Sequence, residues 1–409
     1  SGADVIIADK SLEDICIDLS LNNEHEIFKL SFNGQIDGFH SYEEEISQFP
    51  TDPPIDNPKG TFMFYSSGTT GQPKGIKWPL LEEQIEEVNA HYLFHKKLWD
   101  YDENSISLVS SPLYHAAPAH MALTGHAFGG TVVMMPKFDA EDALRVIEKY
   151  KITHGQWVPT QFMRMYKLPE EVKSQYDVSS QKVITHAAAP CPVELKHKMI
   201  DWWGNIFYEY YSGSEGIGMT HADPDQWLKF PGTVGKPLMG IIHICDDQGQ
   251  EVPPGEIGKI YFESDHDFNY HNDSKKREKV KHSHHSSWSS FGDIGYVNEE
   301  GYLFLTDRES FMIISGGVNI YPQEVENLLS MHEDVEDVAV IGIPDDDMGE
   351  QVKAFIKLSK SAENRSNQEQ YFIEYTRSHL ANYKCPKSIS FVDDLPRSDA
   401  GKLVKRYLK

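Results

Sequence analysis

Residues able to bind and neutralise a polyanion are concentrated in one stretch, Phe62 to Lys77, FMFYSSGTTGQPKGIK. Ser66, Ser67, Thr69 and Thr70 supply hydroxyls, and Gly68, Gly71 and Gly75 let the backbone bend and approach a ligand closely. Successive N–H groups in such turns form an anion-binding concavity, and Lys74 adds a positive charge. These are the parts a triphosphate requires. The spacing departs from the Walker pattern, in which Gly-Lys-Ser/Thr leads into a helix: Pro73 precedes the lysine and no Ser or Thr follows it. The same composition also suits a plain flexible turn, so the chemistry depends on what holds the loop.

The elements around it give that context. Phe62 to Tyr65 reads as a buried strand feeding the loop, after an acidic Pro/Asp/Asn linker at Pro50 to Pro58. Leu81, Ile85, Val88, Tyr92 and Leu98 recur at helical spacing. Ile106 to Val109 reads as a strand and is followed at once by SPLYHAAPAH, which carries His115. Thr131 to Met135, Val183 to Thr185 and Ile206 to Tyr210 are further strands, with a helix capped by Asp139 and another opened by Pro192 between them. The last strand runs into YSGSEG, with Tyr211, Ser214 and Glu215. This alternation predicts an α/β fold on a parallel sheet, with ligands bound beyond the carboxyl ends of the strands. Ser66–Gly75, Ser111–His115 and Ser212–Gly216 all follow strands directly, which predicts one shared site.

From Ile241 the pattern changes to antiparallel strands: Ile241 to Cys245, Ile257 to Phe262 and Tyr302 to Thr306. Residues 265–290 are polar and His-rich and are expected to form an exposed excursion. His282, His284 and His285 have no Cys or carboxylate at ligand spacing, so a solvated loop is expected there in place of a metal site. A small α+β unit follows, with a helix opened by Pro322, strands at Val338 to Ile343 and Val352 to Leu358, and a helix over Tyr371 to Leu380. The domain boundary is placed between Thr306 and Ser310, giving a large domain over 1–309 and a small one over 310–409.

Composition narrows the function. The 409 residues carry a net charge of -25, which repels nucleic-acid backbones and anionic membranes. An anionic ligand then needs a local basic site, which gives weight to Lys74 and Lys402. No apolar run approaches the length of a bilayer span, and no secretory leader is read. The four cysteines are scattered without a CxxC pair, which suits a reducing, cytoplasmic setting.

With these pieces in place the sequence resembles the adenylate-forming superfamily: acyl-CoA synthetases, luciferases and peptide-synthetase adenylation domains. The resemblance covers nearly the whole chain and rests on motifs in the family's order: YSSGTTGQPKG, PLYH, the AAAP stretch at 187–190, YSGSEG, GDIGY, DRESFMIISGGVNIYPQEVE and the final Gly401-Lys402. It is similar in finer detail to bacterial acyl-CoA synthetases. The opening segment of the family's large domain is expected to be missing from this chain. The implied architecture is a large multi-layer α/β N-terminal domain and a small mobile α+β C-terminal domain.

The resemblance implies an activated carboxylate: the acid attacks the α-phosphate of ATP, pyrophosphate leaves, and coenzyme A thiolate attacks the acyl-adenylate. Ser66 to Lys74 would hold the β- and γ-phosphates, Glu215 would bind Mg²⁺, and Ser214 would bond the α-phosphate. Tyr211 would stack on adenine, with Ala187, Ala188 and Ala189 letting the ring approach the backbone. Asp293 would bind the ribose hydroxyls, Arg308 would lie near ribose and phosphate, and His115 would gate the acyl pocket. Lys402 would bridge the α-phosphate and the carboxylate during adenylation. Gly316 and Gly317 would enter the site when the small domain rotates. Read alone, Glu215 is a solvated carboxylate, Tyr211 or His115 a core residue, Gly292-Asp293 a turn, Arg308 half of a surface ion pair and Lys402 a tail lysine. Four positions depart from the family pattern: Ser212 for Gly, Ser214 for Thr, Phe291 for Thr, and Ser310 for the Asp or Lys of the hinge.

Partners implied are a small apolar carboxylic acid, ATP and coenzyme A, with a homodimer as the base expectation. Two rival functions are an adenylating enzyme that loads a carrier protein, and a non-catalytic nucleotide- or acyl-binding homologue.

Overall fold

The computed structural model describes residues 2–20, 27–66, 74–266, 268–360, 362, 367–397 and 403–408. The chain divides into two compact units, Ser1–Thr61 with Leu80–Glu87, and Phe62–Pro79 with Val88–Lys409. The first is built on a parallel sheet of Val5–Asp9, Phe28–Phe32 and His40–Ser41. Ala8, Cys16, Ile36 and Phe39 form its core. The helix expected from Leu81 onward begins only at Ala90 (Ala90–Trp99), where the Asn89 side chain accepts from the His91 N–H at 2.7 Å. Upstream the backbone pairs elsewhere: Ile85 N–H donates to Asn57 and Lys59 N–H donates to Glu83. Leu80, Ile85 and Val88 are exposed.

The second unit contains a twelve-stranded sheet. Its parallel half runs Thr131–Met134, Ile106–Val109, His154–Trp157, Val183–His186 and Phe207–Ser212. The direction then reverses. Met219–Ala222, Thr233–Met239, Leu303–Arg308, Asp293–Val297, Gly258–Glu263 and Ile241–Cys245 follow as antiparallel neighbours. Helices pack on the parallel half. Ala140–Tyr150 starts where the Asp139 side chain accepts from Asp142 N–H, and buries Leu144 and Ile147 against Trp157, Phe162 and Met199. The helix after Val183–His186 is Val193–Trp203, with Pro192 just outside it as the cap.

The strand leading into the glycine-rich loop is Phe64–Ser66. It lies outside the large sheet, in a three-stranded one with Lys74–Lys77 and Asn269–Tyr270. The expected burial of this run fails at both Phe62 and Tyr65, which are exposed. The expected excursion at 265–290 is also corrected. Asn269–Tyr270 and Trp288–Ser289 are strands, Ser274–Lys279 is a helix, and Phe268, Tyr270, His282 and Trp288 are buried. Its polar count conceals aromatic side chains that join the core of Ile76, Phe262 and Leu303. Among the described residues no group of three His, Cys, Asp or Glu could hold a metal ion.

The C-terminal lobe has strands Ile313–Ser315, Val318–Ile320, Val335–Asp345, Gly349–Leu358 and Ser388–Phe391, with helices Pro322–Ser330 and Gln368–His379. Its own core comprises Val325, Leu329, Val340, Ile356 and Phe372. The expected mixed α/β architecture, a large sheet domain followed by a smaller one, is the one observed. Among the described residues, no helix is long and apolar enough to cross a membrane.

Candidate active site

The site forms where the large sheet changes direction. Phe207–Ser212 pairs parallel with Val183–His186 on one side and antiparallel with Met219–Ala222 on the other. Beyond its parallel neighbour come Ala187, Ala188 and Ala189. Ala188 holds φ of 74°, in the left-handed region, where the Cβ of any residue but glycine is strained. Tyr211 is the last residue but one of the other strand, its ring in a triangle with those of Phe262, at 6.1 Å, and Phe291, at 5.6 Å. Phe291, where the family has Thr, thus serves as an aromatic wall.

The Tyr211 hydroxyl donates to Asp293 Oδ2 at 2.6 Å. Burial first, and the Asp293 charge second, push the phenol well above its ordinary value, so it stays a donor. Asp293 is buried, and its Oδ1 lies 3.3 Å from Arg308 Nε. The two residues face each other across the antiparallel pair Asp293–Val297 and Leu303–Arg308. A carboxylate offers about four acceptor positions, so Asp293 retains capacity for a vicinal diol.

A second cluster centres on Tyr270, a residue that carries no signal in the sequence motifs. Tyr270 donates its hydroxyl to Glu215 Oε1 at 2.9 Å. The Lys74 ammonium lies 5.2 Å from the centroid of the same ring. Burial and the Glu215 charge push the Tyr270 phenol up, which keeps it a donor to that carboxylate. One ring therefore joins the end of the glycine-rich loop to the acidic residue of YSGSEG. Ser214 offers its carbonyl to Trp78 Nε1 at 3.0 Å. Gly213 has no room for a side chain, since a Cβ there would lie 2.4 Å from Phe291 and 2.9 Å from Glu215 Oε2.

The remaining expected residues lie on other elements. His115 caps the helix Ala116–Ala127, its ring 4.5 Å from that of Tyr114. Gly316 and Gly317 form the turn between Ile313–Ser315 and Val318–Ile320, with φ of 57° and 78°. Both positive angles explain the glycine pair. Ser66 pairs with Lys74 at the neck of the loop. Ser67, Gly68, Thr69, Thr70, Gly71 and Lys402 lie outside the described residues.

Residues 1–269 match the model of AMP-binding enzymes, and residues 324–402 match that of the AMP-binding enzyme C-terminal domain. The chain belongs to the adenylate-forming superfamily. It is 32% identical over 376 residues to a long-chain-fatty-acid–CoA ligase of Bacillus subtilis, covering 90% of this chain and 64% of that one. It is 33% identical over 355 residues to a 2-succinylbenzoate–CoA ligase of Bacillus pumilus, covering 86% and 69%. Among solved structures it resembles an anthranilate CoA ligase in complex with anthranoyl-AMP, at a TM-score of 0.83 and 26% identity, over 99% of this chain and 77% of that one. The chain thus spans less than two thirds of the first of these relatives.

For an adenylate-forming chain the donor sets fit their groups. A hard cation that bridges phosphates and keeps most of its waters needs few protein ligands, and Glu215 supplies a carboxylate held by the same Tyr270 that Lys74 overlies. Asp293, between Tyr211 and Arg308, fits a ribose. Tyr270, Trp78 and Phe291 were not singled out as site residues. Only the aromatic residues hidden among the histidines of 265–290 hinted at Tyr270.

Proposed function

We propose that this chain activates an apolar carboxylic acid with ATP, releasing pyrophosphate, and then transfers the acyl group from AMP to coenzyme A. The observation that carries this reading is the pairing of two clusters at one sheet reversal: Tyr211–Asp293–Arg308 for the nucleoside, and Lys74–Tyr270–Glu215 for the polyphosphate. Its relatives are named for a long-chain fatty acid and for 2-succinylbenzoate, which supports an aliphatic or aryl acid.

Adenylation needs little covalent help from the protein. Positioning the carboxylate in line with the α-phosphate and neutralising charge that builds on phosphorus supply the rate. Tyr211 and Asp293 fix the nucleoside, and Arg308 offsets the negative charge next to it. Lys74 and the loop before it take the β- and γ-phosphates. Glu215 would hold Mg²⁺, which neutralises the leaving pyrophosphate. Lys402 would reach the α-phosphate from the small domain, residues 310–409, and the turn at Gly316 and Gly317 would replace it after rotation about Ser310. His115 would border the acyl pocket.

A panel of acids of increasing length, scored by pyrophosphate release, tests the first step. Addition of coenzyme A, or of a phosphopantetheinylated carrier protein instead, tests the acceptor by release of AMP and thioester. Lys402→Ala is expected to lower adenylation about a hundredfold or more, as loss of one preorganised charge does. Unchanged adenylate formation would remove Lys402 from the mechanism, and no acid-dependent pyrophosphate release would remove the reading as a whole.

A further inference from the structure

The helix Pro322–Ser330 of the small lobe is held at both ends by side chains of the large lobe. At its start, Asp307 Oδ2 accepts from Gln323 N–H at 3.0 Å. At its finish, the Lys167 ammonium donates to the carbonyls of Ser330, at 2.7 Å, and Val335, with that of His332 at 3.5 Å. The signs match the helix: an anion meets a first-turn N–H at the positive end, and a cation meets the carbonyl of the last residue, Ser330, at the negative end, with those of His332 and Val335 just beyond it. Met331, the next residue, packs against the large-lobe core that holds Trp157, Phe162 and Met199. Asp307 is itself buried, and it also accepts from Arg308 N–H at 2.7 Å.

Lys167 is well placed to transmit order. It terminates the helix Pro159–Tyr166, whose Phe162, Met163 and Met165 are buried. Gln161 in that helix donates to Ser110 O and Ser111 Oγ, at 3.2 Å and 3.3 Å, at the entrance to the PLYH loop. The ammonium is substantially desolvated: burial brings it down to about 8, against the pull of Asp337 and Glu336.

We propose that Lys167 is a positioning residue for the two-step reaction: with Asp307 it clamps the helix Pro322–Ser330 and holds the small lobe in one of its working orientations. The inference rests on the ligase reading, in which the lobe must turn between adenylation and thioester formation. Removing the cation frees the helix end and shifts the balance of orientations. The two half-reactions then move in opposite directions.

The test compares Lys167→Met with Lys167→Arg in the full chain. Pyrophosphate release is measured without coenzyme A, and thioester formation from preformed acyl-adenylate is measured separately. In Lys167→Met the ratio of the two rates is expected to change about tenfold or more, the scale of one hydrogen bond to a charged group. Lys167→Arg, which keeps the charge, retains most of the wild-type ratio. The distance between one spin label on each lobe is expected to broaden in Lys167→Met only. Equal loss in both half-reactions with an unchanged distance overturns the proposal, as does no change at all. If the wild-type chain performs neither half-reaction, the ligase reading fails first, and the lobe distance still reports whether Lys167 clamps.

Discussion

On the strands that lead to Ala187 and Tyr211 lies a buried ion pair whose removal gives a sharp result. Lys196 Nζ is 2.8 Å from Glu209 Oε2, with side-chain exposures of 0% and 7%. His186 Nε2 lies 3.5 Å from the same oxygen, and Lys196 sits 4.3 Å from the centroid of the Trp227 ring. His186 and Glu209 are register partners on adjacent strands, one residue before Ala187 and two before Tyr211. Burial pushes Glu209 up and Lys196 down from their ordinary values, while their attraction opposes both shifts. His186 is pushed well down by burial and stays neutral, so Glu209 depends on Lys196 for its counter-charge. Lys196→Met leaves a carboxylate in a dry site and is expected to cost about 3–5 kcal/mol. For the unit Phe62–Pro79 with Val88–Lys409 that corresponds to a melting-temperature fall of roughly 4–7 °C, at ~2.1 cal/mol/K of unfolding entropy per residue. Replacing both residues, Lys196→Met with Glu209→Leu, removes the orphaned charge and is expected to recover most of the loss. Calorimetric scans of the wild type, both single variants and the double variant complete the cycle. A neutral Lys196→Met, or a double variant no more stable than the single, refutes the account.

Two further outcomes follow from other contacts. Tyr211→Phe keeps the ring but deletes the 2.6 Å bond to Asp293, so AMP affinity measured by titration calorimetry is expected to fall about ten- to hundredfold. An unchanged affinity means that Asp293 needs no help in facing the ribose. The imidazoles of His91 and His120 meet edge-on at 4.6 Å, and burial brings His120 down to about 4. A folded value below the ordinary one means that the unfolded chain takes up more protons. The stability is therefore complete above about 6.5 and falls with pH below it, by about 2 kcal/mol from His120 alone between pH 7.5 and 5. His120→Phe, which preserves a ring against Phe62 and Phe64, is expected to flatten that fall in urea-midpoint measurements. An identical fall in wild type and variant assigns the acid response to other groups.

The parts of the molecule legible in the sequence were those governed by neighbours in the chain. Asp139 caps its helix through a residue three positions away, and the glycine pair at 316–317 makes its turn locally. The alternation of strand and helix through 106–212 was likewise readable, because each element follows from its own periodicity. What was hidden depends on residues brought together from afar. Tyr270 reaches Glu215 across 55 positions, Tyr211 reaches Asp293 across 82, and Lys167 reaches Ser330 across 163. The helical spacing from Leu81 to Val88 misled because strand-like bonding to Asn57 and Lys59 claimed those backbone groups first. The His-rich run misled because polar composition outweighed the buried aromatic side chains of Phe268, Tyr270 and Trp288.

Trp78 stands immediately after the strand that leaves the glycine-rich loop. Its indole N–H is bound to the Ser214 carbonyl, its ring meets His266 edge-on at 4.8 Å, and Gly216 passes too close to it to bear a Cβ. Indole emission responds to the polarity and hydrogen bonding of its surroundings. The chain thus carries an optical gauge wired to the backbone of Ser214, and nucleotide addition can be followed without a dye or a modified ligand.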